Sequence, residues 1–133
     1  MILLDTHVFL GFAGLTETEL PLPMLKAIEN EDKKFISVAS LWELSIKYQL
    51  GKIKIAYRPI ELLPLLQNLR IRTKDITSAH AFAGPAINVP TKDPFDRLLL
   101  GICKVEKMKL MTLDRALLDH PLVWKPKRAR SSK

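Results

Sequence analysis

The chain alternates short, continuous apolar runs with segments whose apolar residues recur every three to four positions. The apolar runs at residues 1–4, 34–38 and 110–113 have the length and composition of strands that are buried on both faces of a sheet. Two further extended segments are predicted at residues 71–76 and 122–124. Because strand and helix patterns alternate along the chain, we expect an α/β fold of three layers, with a central parallel sheet between helices.

Helices are predicted wherever apolar residues repeat with helical spacing. They cover residues 6–13, 21–32, a serine-capped segment that ends near 50, 59–69, 77–83, 94–108 and 115–118. The helix at 94–108 has the clearest pattern, with Leu98, Ile102 and Val105 on its expected buried face. Pro64 lies inside the 59–69 segment and predicts a kink or a split there.

The length of 133 residues and the hydrophobic content of 47% indicate one domain, which we place at residues 1–124, before a basic tail at 125–133. Cys103 is the one cysteine of the sequence, so an intrachain disulfide is excluded and a role as a core residue is expected. The sequence has neither the pattern of a signal peptide nor an apolar stretch near the roughly 18 residues of a membrane helix. We therefore expect a cytoplasmic protein with no membrane partner.

The net charge of +7 suggests a nucleic-acid partner, but its distribution weakens that inference. Five of the bases lie in the tail at residues 125–133, and without them sixteen bases stand against fourteen acids. The tail has two readings, a solvated and disordered end or a segment that binds phosphates.

Four acidic residues lie at the edges of apolar segments: Asp5, Glu43, Asp96 and Asp114. Asp5 and Asp114 follow predicted strands, whereas the other two lie in the first turns of predicted helices. In a parallel sheet these positions fall at one edge, so the four carboxylates are expected to converge there. Buried carboxylates need a partner, and a divalent cation with oxygen ligands supplies one.

Each acid alone has an ordinary structural explanation. Asp5 and Asp114 are suited to cap the helical turns that follow them, and Asp93 is suited to cap the helix that contains Asp96. Glu43 has a partner for an ion pair in Lys47, one helical turn later. The metal hypothesis explains all four positions with one cause. It favours phosphodiester hydrolysis, in which the cation neutralises a phosphoryl group and activates water.

Three basic residues lie close in sequence to the acids and are candidates for weak contacts with a nucleic-acid backbone. They are Lys47, Arg97 and Arg115. Ordinary ion pairing is the alternative for each of them, and for Arg97 the expected partner is Asp93.

Four segments of the chain resemble the PIN domain, and more closely the VapC-like toxins of type II toxin–antitoxin systems. They are Ile2-Leu3-Leu4-Asp5-Thr6-His7, Ser37-Val38-Ala39-Ser40-Leu41-Trp42-Glu43-Leu44-Ser45-Ile46-Lys47, Asp93-Pro94-Phe95-Asp96-Arg97-Leu98-Leu99 and Thr112-Leu113-Asp114. The resemblance extends over residues 1–124 in order and spacing. One departure is at Gly11, where relatives often carry an aromatic residue nearby.

The resemblance implies a three-layer α/β/α fold and a Mg²⁺-dependent endoribonuclease, with Mn²⁺ as a possible substitute. Carried over by position, Asp5, Glu43, Asp96 and Asp114 are the metal-holding and catalytic acids. Supporting roles fall to Thr6, Thr112 and Asp93. The resemblance also implies a protein antitoxin that blocks the acidic pocket. A homodimer is expected because the helices near residues 41–50 and 59–69 carry more apolar residues than one face needs.

Two other functions compete with an RNA-cleaving toxin. The first is a catalytically inert module that binds nucleic acid or protein, with the acids as a docking surface. The second is a phosphoacceptor domain, which needs a second acid beside Asp5 or a lysine directly after the last strand. The chain has Thr6-His7 after Asp5, and Lys125 belongs to the tail, so the phosphoacceptor pattern fits poorly.

Overall fold

The computed structural model describes residues 1–127, and this part of the chain forms four strands and six α-helices. The strands are β1 (Ile2–Leu4), β2 (Lys34–Ser37), β3 (Ile71–Lys74) and β4 (Lys109–Met111). The α-helices are α1 (Thr6–Phe12), α2 (Leu22–Asn30), α3 (Val38–Gln49), α4 (Leu62–Asn68), α5 (Ser78–Ala83) and α6 (Pro94–Glu106). A short 3₁₀ helix at Pro59–Glu61 directly precedes α4, and another at Gly84–Ala86 directly follows α5.

The strands form one parallel sheet in the order β3-β2-β1-β4. Leu3 of the central strand β1 is opposite Phe35 on one side and Leu110 on the other. This arrangement confirms the predicted α/β fold, with helices on both faces of a parallel sheet. Because all four strands run the same way, their carboxyl ends meet at one edge.

The core has two parts, one on each face of the sheet, because successive strand residues point to opposite faces. Leu4 and Met111 pack on one face against α1, α2 and α4. Leu3 and Leu110 pack on the other face, mainly against α6. Strands β1 and β4 are buried on both faces, as their apolar runs predict. This packing fixes the position of the sheet edge at which they end. Cys103 is fully buried in the second part of the core, as expected.

Several predicted elements differ in the structure. Residues 115–118 form turns and not a helix, and the strand expected at 122–124 is reduced to one bridge between Val123 and Leu110. The segment containing Pro64 is split into a 3₁₀ turn and α4, and the proline lies in the first turn of α4, where no backbone donor is needed.

The predicted buried face of α6 is wrong at one position. Val105 is 40% exposed, whereas Leu99 and Leu100 are buried. The helix ends at Glu106, and Lys107 adopts a left-handed conformation with a φ of 58°. Leu99, Ile102 and Cys103 form the centre of the buried face, so Val105 lies at its edge.

Within residues 1–127, no helix combines the length and the apolar character that crossing a membrane requires. The last six residues of the basic tail, 128–133, lie outside the described residues. The prediction that this part of the tail is disordered therefore also falls outside them. At the start of the tail, the Lys125 ammonium donates a 2.7 Å hydrogen bond to the carbonyl oxygen of His120.

Candidate functional site

A cavity of about 500 Å³ opens at the carboxyl edge of the sheet. All four predicted acids line it, together with Asp93. The acidic walls are Asp5, Glu43, Asp93, Asp96 and Asp114. They come from the end of β1, from α3, from the start of α6 and from the segment after β4. The convergence that the strand order implies is therefore present in the structure.

Asp5 directly follows β1 and is also the N-cap of α1, where its Oδ1 accepts a 2.8 Å hydrogen bond from the Val8 amide. Burial raises the pKa of its carboxyl, and hydrogen bonds from Thr112 and Val8 offset part of that increase. Nearby Glu43 raises the pKa further by charge repulsion. The capping role and a role in the cavity are therefore compatible, because only one oxygen is used as the cap.

Glu43 lies in the second turn of α3 and has a partner for each carboxylate oxygen. The Thr6 hydroxyl donates a 2.6 Å hydrogen bond to Oε1, and the Lys47 ammonium is 3.3 Å from Oε2. Thr6 is buried beside Asp5, so it fixes Glu43 relative to the end of β1. The predicted ion pair with Lys47 is present, and it lies on the wall of the cavity.

Asp93 and Asp96 stand at the start of α6. Asp93 is the N-cap, and its Oδ1 accepts a 2.9 Å hydrogen bond from the Phe95 amide. The Thr91 hydroxyl lies 3.3 Å from Oδ2 of Asp96 and donates to it. Burial raises the pKa of Asp96 to about 6, and the charges of Asp93 and Asp114 add to the shift.

Asp114 completes the cavity from the segment that follows β4. Its amide donates a 3.0 Å hydrogen bond to the hydroxyl of buried Thr112, and its Oδ1 accepts one of 3.0 Å from the Ala116 amide. The Thr112 side chain also lowers the pKa of Asp5, so this threonine acts on the acids that follow the two neighbouring strands β1 and β4.

Of the three basic residues considered for nucleic-acid contacts, only Lys47 lines the cavity. Arg97 does not form the expected ion pair with Asp93, because its guanidinium faces the loop before α6. It donates hydrogen bonds to the carbonyl oxygens of Thr91, Ile87 and Val89, at 3.0, 3.0 and 3.3 Å. Arg97 therefore stabilises the loop before α6 through hydrogen bonds to its backbone. Arg115 is exposed and is not part of the cavity wall.

Several cavity residues were missed from the sequence. They are His7, Thr18, Phe95, Leu99 and Leu113. Four of them lie within three residues of a predicted acid, so adjacency alone could have found them. Thr18 has no such signal, because a loop carries it to the site. A Cβ on Gly11 would lie 2.8 Å from the Thr18 carbonyl oxygen, so the loop approaches only because residue 11 is glycine.

The donor set fits a hard divalent cation, since the cavity offers carboxylate and hydroxyl oxygens and no sulfur. Burial is the main cause of the raised pKa values of Asp5 and Asp96, and repulsion between the acids adds to it, so a bound cation would favour the charged carboxylates. Among residues 1–127, no three acidic, histidine or cysteine side chains lie close enough together to hold a metal ion by themselves. Mg²⁺ does not require three such side chains, because it keeps several waters and binds through one or two carboxylates.

The fold and the cavity define an α/β protein with an acidic pocket at the carboxyl edge of a parallel sheet. The family model for the PIN domain matches residues 2–121. The chain therefore belongs to the PIN domain family, whose members are generally nucleases and typically use divalent metal ions.

A similar solved structure is described as "Toxin-antitoxin complex from Klebsiella pneumoniae". It has 15% sequence identity and a TM-score of 0.68, and the match covers 95% of this chain and 98% of that one. At this identity the match shows a shared fold over almost the whole chain. A comparison with curated proteins finds no match.

Proposed function

We propose that the protein is a metal-dependent endoribonuclease that acts as the toxin of a toxin–antitoxin pair. The observation that carries the proposal is the meeting of four acids, from separate elements, in one cavity of a PIN domain. A phosphodiester brings anionic oxygens to such a site, and a cation held by the acids removes the charge repulsion between them. RNA in the cytoplasm is the proposed substrate, and residues 1–124 are the proposed catalytic domain.

The acids and the other polar residues of the cavity have different proposed roles. Asp5, Glu43, Asp96 and Asp114 would together hold Mg²⁺, or Mn²⁺ in its place, one or two of them directly and the others through the waters that the ion keeps. When bound, the ion supplies charge neutralisation at the phosphoryl group and lowers the pKa of a water molecule. Hydrolysis would add one water molecule across a P–O bond of the backbone, leaving a phosphate at one new end and a hydroxyl at the other.

The remaining polar residues position the acids. The Thr6 hydroxyl holds Glu43, and Thr112 links Asp5 to the segment of Asp114. Asp93 caps α6 and so fixes the first turn, in which Asp96 stands. Lys47, whose ammonium already lies on the cavity wall, is the proposed contact for a non-bridging phosphate oxygen.

Two protein partners are part of the proposal. A cognate antitoxin is supported by the similar fold of the Klebsiella pneumoniae chain, whose structure is described as a toxin–antitoxin complex. A homodimer is supported by exposed apolar side chains on and beside α3. They are Ile46 on α3, Leu50 at its C-cap, Ile60 in the 3₁₀ turn and Leu63 on α4, and we call them the α3 apolar face. Exposed aliphatic clusters of this kind are typical of protein–protein contacts.

A circular single-stranded RNA tests the activity, because only an endonuclease can open a circle. The wild-type protein is expected to linearise the circle in Mg²⁺ and to lose this activity in EDTA. Asp5→Asn is expected to be inactive. Asp119→Asn, which removes an exposed carboxylate outside the cavity, is the matched control and should cleave normally. RNA binding without cleavage under every condition would instead support the inert binding module.

Expression in bacteria tests the role as a toxin. The wild-type chain is expected to arrest growth, while the Asp5→Asn variant, produced at the same level, is expected to be tolerated. Equal growth of the two strains would remove the toxin assignment without affecting the cleavage result.

A further inference from the structure

An aromatic pair bridges two of the helices that supply the acids. The ring centroids of Trp42 in α3 and Phe95 in α6 are 6.1 Å apart, and the ring planes are inclined by 54°. Trp42 directly precedes Glu43, and Phe95 directly precedes Asp96. The pair therefore lies beside the acidic cavity, and Phe95 forms part of its wall.

The exposure of Trp42 is unusual for so large an apolar side chain. The indole is 64% exposed, although tryptophan is highly buried on average in folded proteins. Its contact with Phe95 covers only part of the ring system. A planar aromatic surface thus remains open to solvent at the side of the cavity.

We propose that Trp42 and Phe95 form a stacking platform for an unpaired base of single-stranded RNA, next to the phosphate that is cleaved. The inference rests on the proposed function and names two residues of this chain that would bind its substrate. Aromatic side chains bind single-stranded nucleic acid through the π-face that every base has, and this binding is tolerant of sequence. Bases within a duplex are already stacked, so a double helix does not present them to such a surface.

The placement of the pair favours a base over a protein partner. Phe95 belongs both to the pair and to the acidic cavity, so a ligand on the platform is continuous with one in the cavity. Lys47, one turn beyond Glu43 on α3, adds a positive charge for the backbone that accompanies the base. The α3 apolar face, by contrast, is aliphatic and begins one turn beyond Trp42, at Ile46.

Fluorescence of Trp42 tests the platform without requiring cleavage. In a Trp124→Phe background, Trp42 is the one remaining tryptophan of the sequence. Titration with a single-stranded RNA decamer in EDTA is expected to quench its emission saturably. A decamer of abasic ribose phosphates, which has the same charge and no bases, is expected to leave the emission nearly unchanged.

Affinity measurements in the natural background provide a second test, which does not depend on the Trp124 substitution. Trp42→Ala and Phe95→Ala are each expected to weaken decamer binding about tenfold, while Trp42→Phe stays within about threefold of wild type. Phe82→Ala is the matched control, because Phe82 is an 81% exposed aromatic residue outside the cavity, and its affinity should be unchanged. Thermal melts confirm that each variant is folded.

The outcomes separate this inference from the proposed function. Cleavage of RNA together with unchanged decamer affinity in Trp42→Ala would overturn the platform and leave the nuclease intact. Quenching and weakened binding without any cleavage would support the platform and overturn the nuclease. A change in sedimentation of Trp42→Ala, with RNA affinity unaffected, would assign the aromatic pair to a protein interface and contradict the proposal.

Discussion

The Thr6 hydroxyl donates a 2.6 Å hydrogen bond to the Glu43 carboxylate, across 37 positions of sequence. Because Thr6 directly follows Asp5, this bond sets the position of α3 against the end of β1. The buried Thr6 side chain thereby fixes the positions of Asp5 and Glu43 relative to each other. The site depends on such supporting groups as much as on the acids.

Thr6→Val is expected to lower the cleavage rate about tenfold, in line with the loss of a group that orients a metal ligand. Valine has the shape of threonine but cannot donate to Glu43, which is then held by Lys47 alone. Steady-state cleavage in saturating Mg²⁺ measures the effect. Thr73→Val, at an exposed position on β3, is the control. A rate within twofold of wild type would show that Glu43 needs no such support.

The stability of the metal-free protein is expected to fall as pH rises through the titration of Asp96. The pKa of this carboxyl is 3.8 in the unfolded chain and is raised to about 6 in the folded protein. The folded state therefore binds the proton more tightly, so the contribution is complete below about pH 3.8 and is lost as pH rises through about 6.

Chemical denaturation in EDTA, at pH 4 and pH 7, tests this dependence. The free energy of unfolding of wild type should fall by about 1 kcal/mol more than that of Asp96→Asn, because the side chain is half-exposed and solvent screens much of the shift. Asp119→Asn should behave as wild type. Parallel pH dependences of wild type and Asp96→Asn would contradict the electrostatic account of the cavity.

Arg97→Lys is expected to reduce the free energy of unfolding by about 2 kcal/mol. A lysine has one ammonium group and cannot replace the bonds of the guanidinium to Thr91, Ile87 and Val89. Urea denaturation measures the change, and Arg115→Lys, at an exposed position, serves as the control. An equal decrease in the free energy of unfolding of the two variants would mean that Arg97 does not stabilise the loop.

Gly101→Ala is expected to destabilise the fold by about 2 kcal/mol, as overpacking of a core does. The added Cβ would lie 2.7 Å from the His80 carbonyl oxygen and 2.8 Å from the Gly84 amide nitrogen. Lys104→Ala, on the exposed side of the same helix, should leave the melting temperature nearly unchanged. A wild-type melting temperature for Gly101→Ala would show that α5 and α6 separate easily.

The sequence was sufficient for the sheet and for the meeting of the acids. Asp5 and Asp114 follow apolar runs that are typical of strands in a parallel sheet, and parallel strands end at one edge. Once β1 and β4 are neighbours, the two carboxylates share that edge. The family resemblance pointed to the same positions, and the PIN domain match over residues 2–121 confirms the fold.

Other features depend on contacts that local patterns do not encode. Arg97 follows Asp96 directly, yet its side chain turns to the carbonyl oxygens of a loop that has no periodic pattern. Thr18 reaches the cavity because Gly11 lets two backbone segments approach closely. Val105 fits the apolar repeat of α6, but it lies at the edge of the buried face and is 40% exposed. Each case is set by tertiary packing and not by spacing along the chain.

The most direct test of the central claim is RNA cleavage by wild type and Asp96→Asn as Mg²⁺ is titrated from zero. We predict no cleavage by wild type in EDTA, a rate that saturates with Mg²⁺, and a rate for Asp96→Asn that is at least about 100-fold lower at every concentration. Wild-type cleavage in EDTA, or a wild-type rate from Asp96→Asn, would contradict the assignment of these acids to a metal-dependent nuclease site.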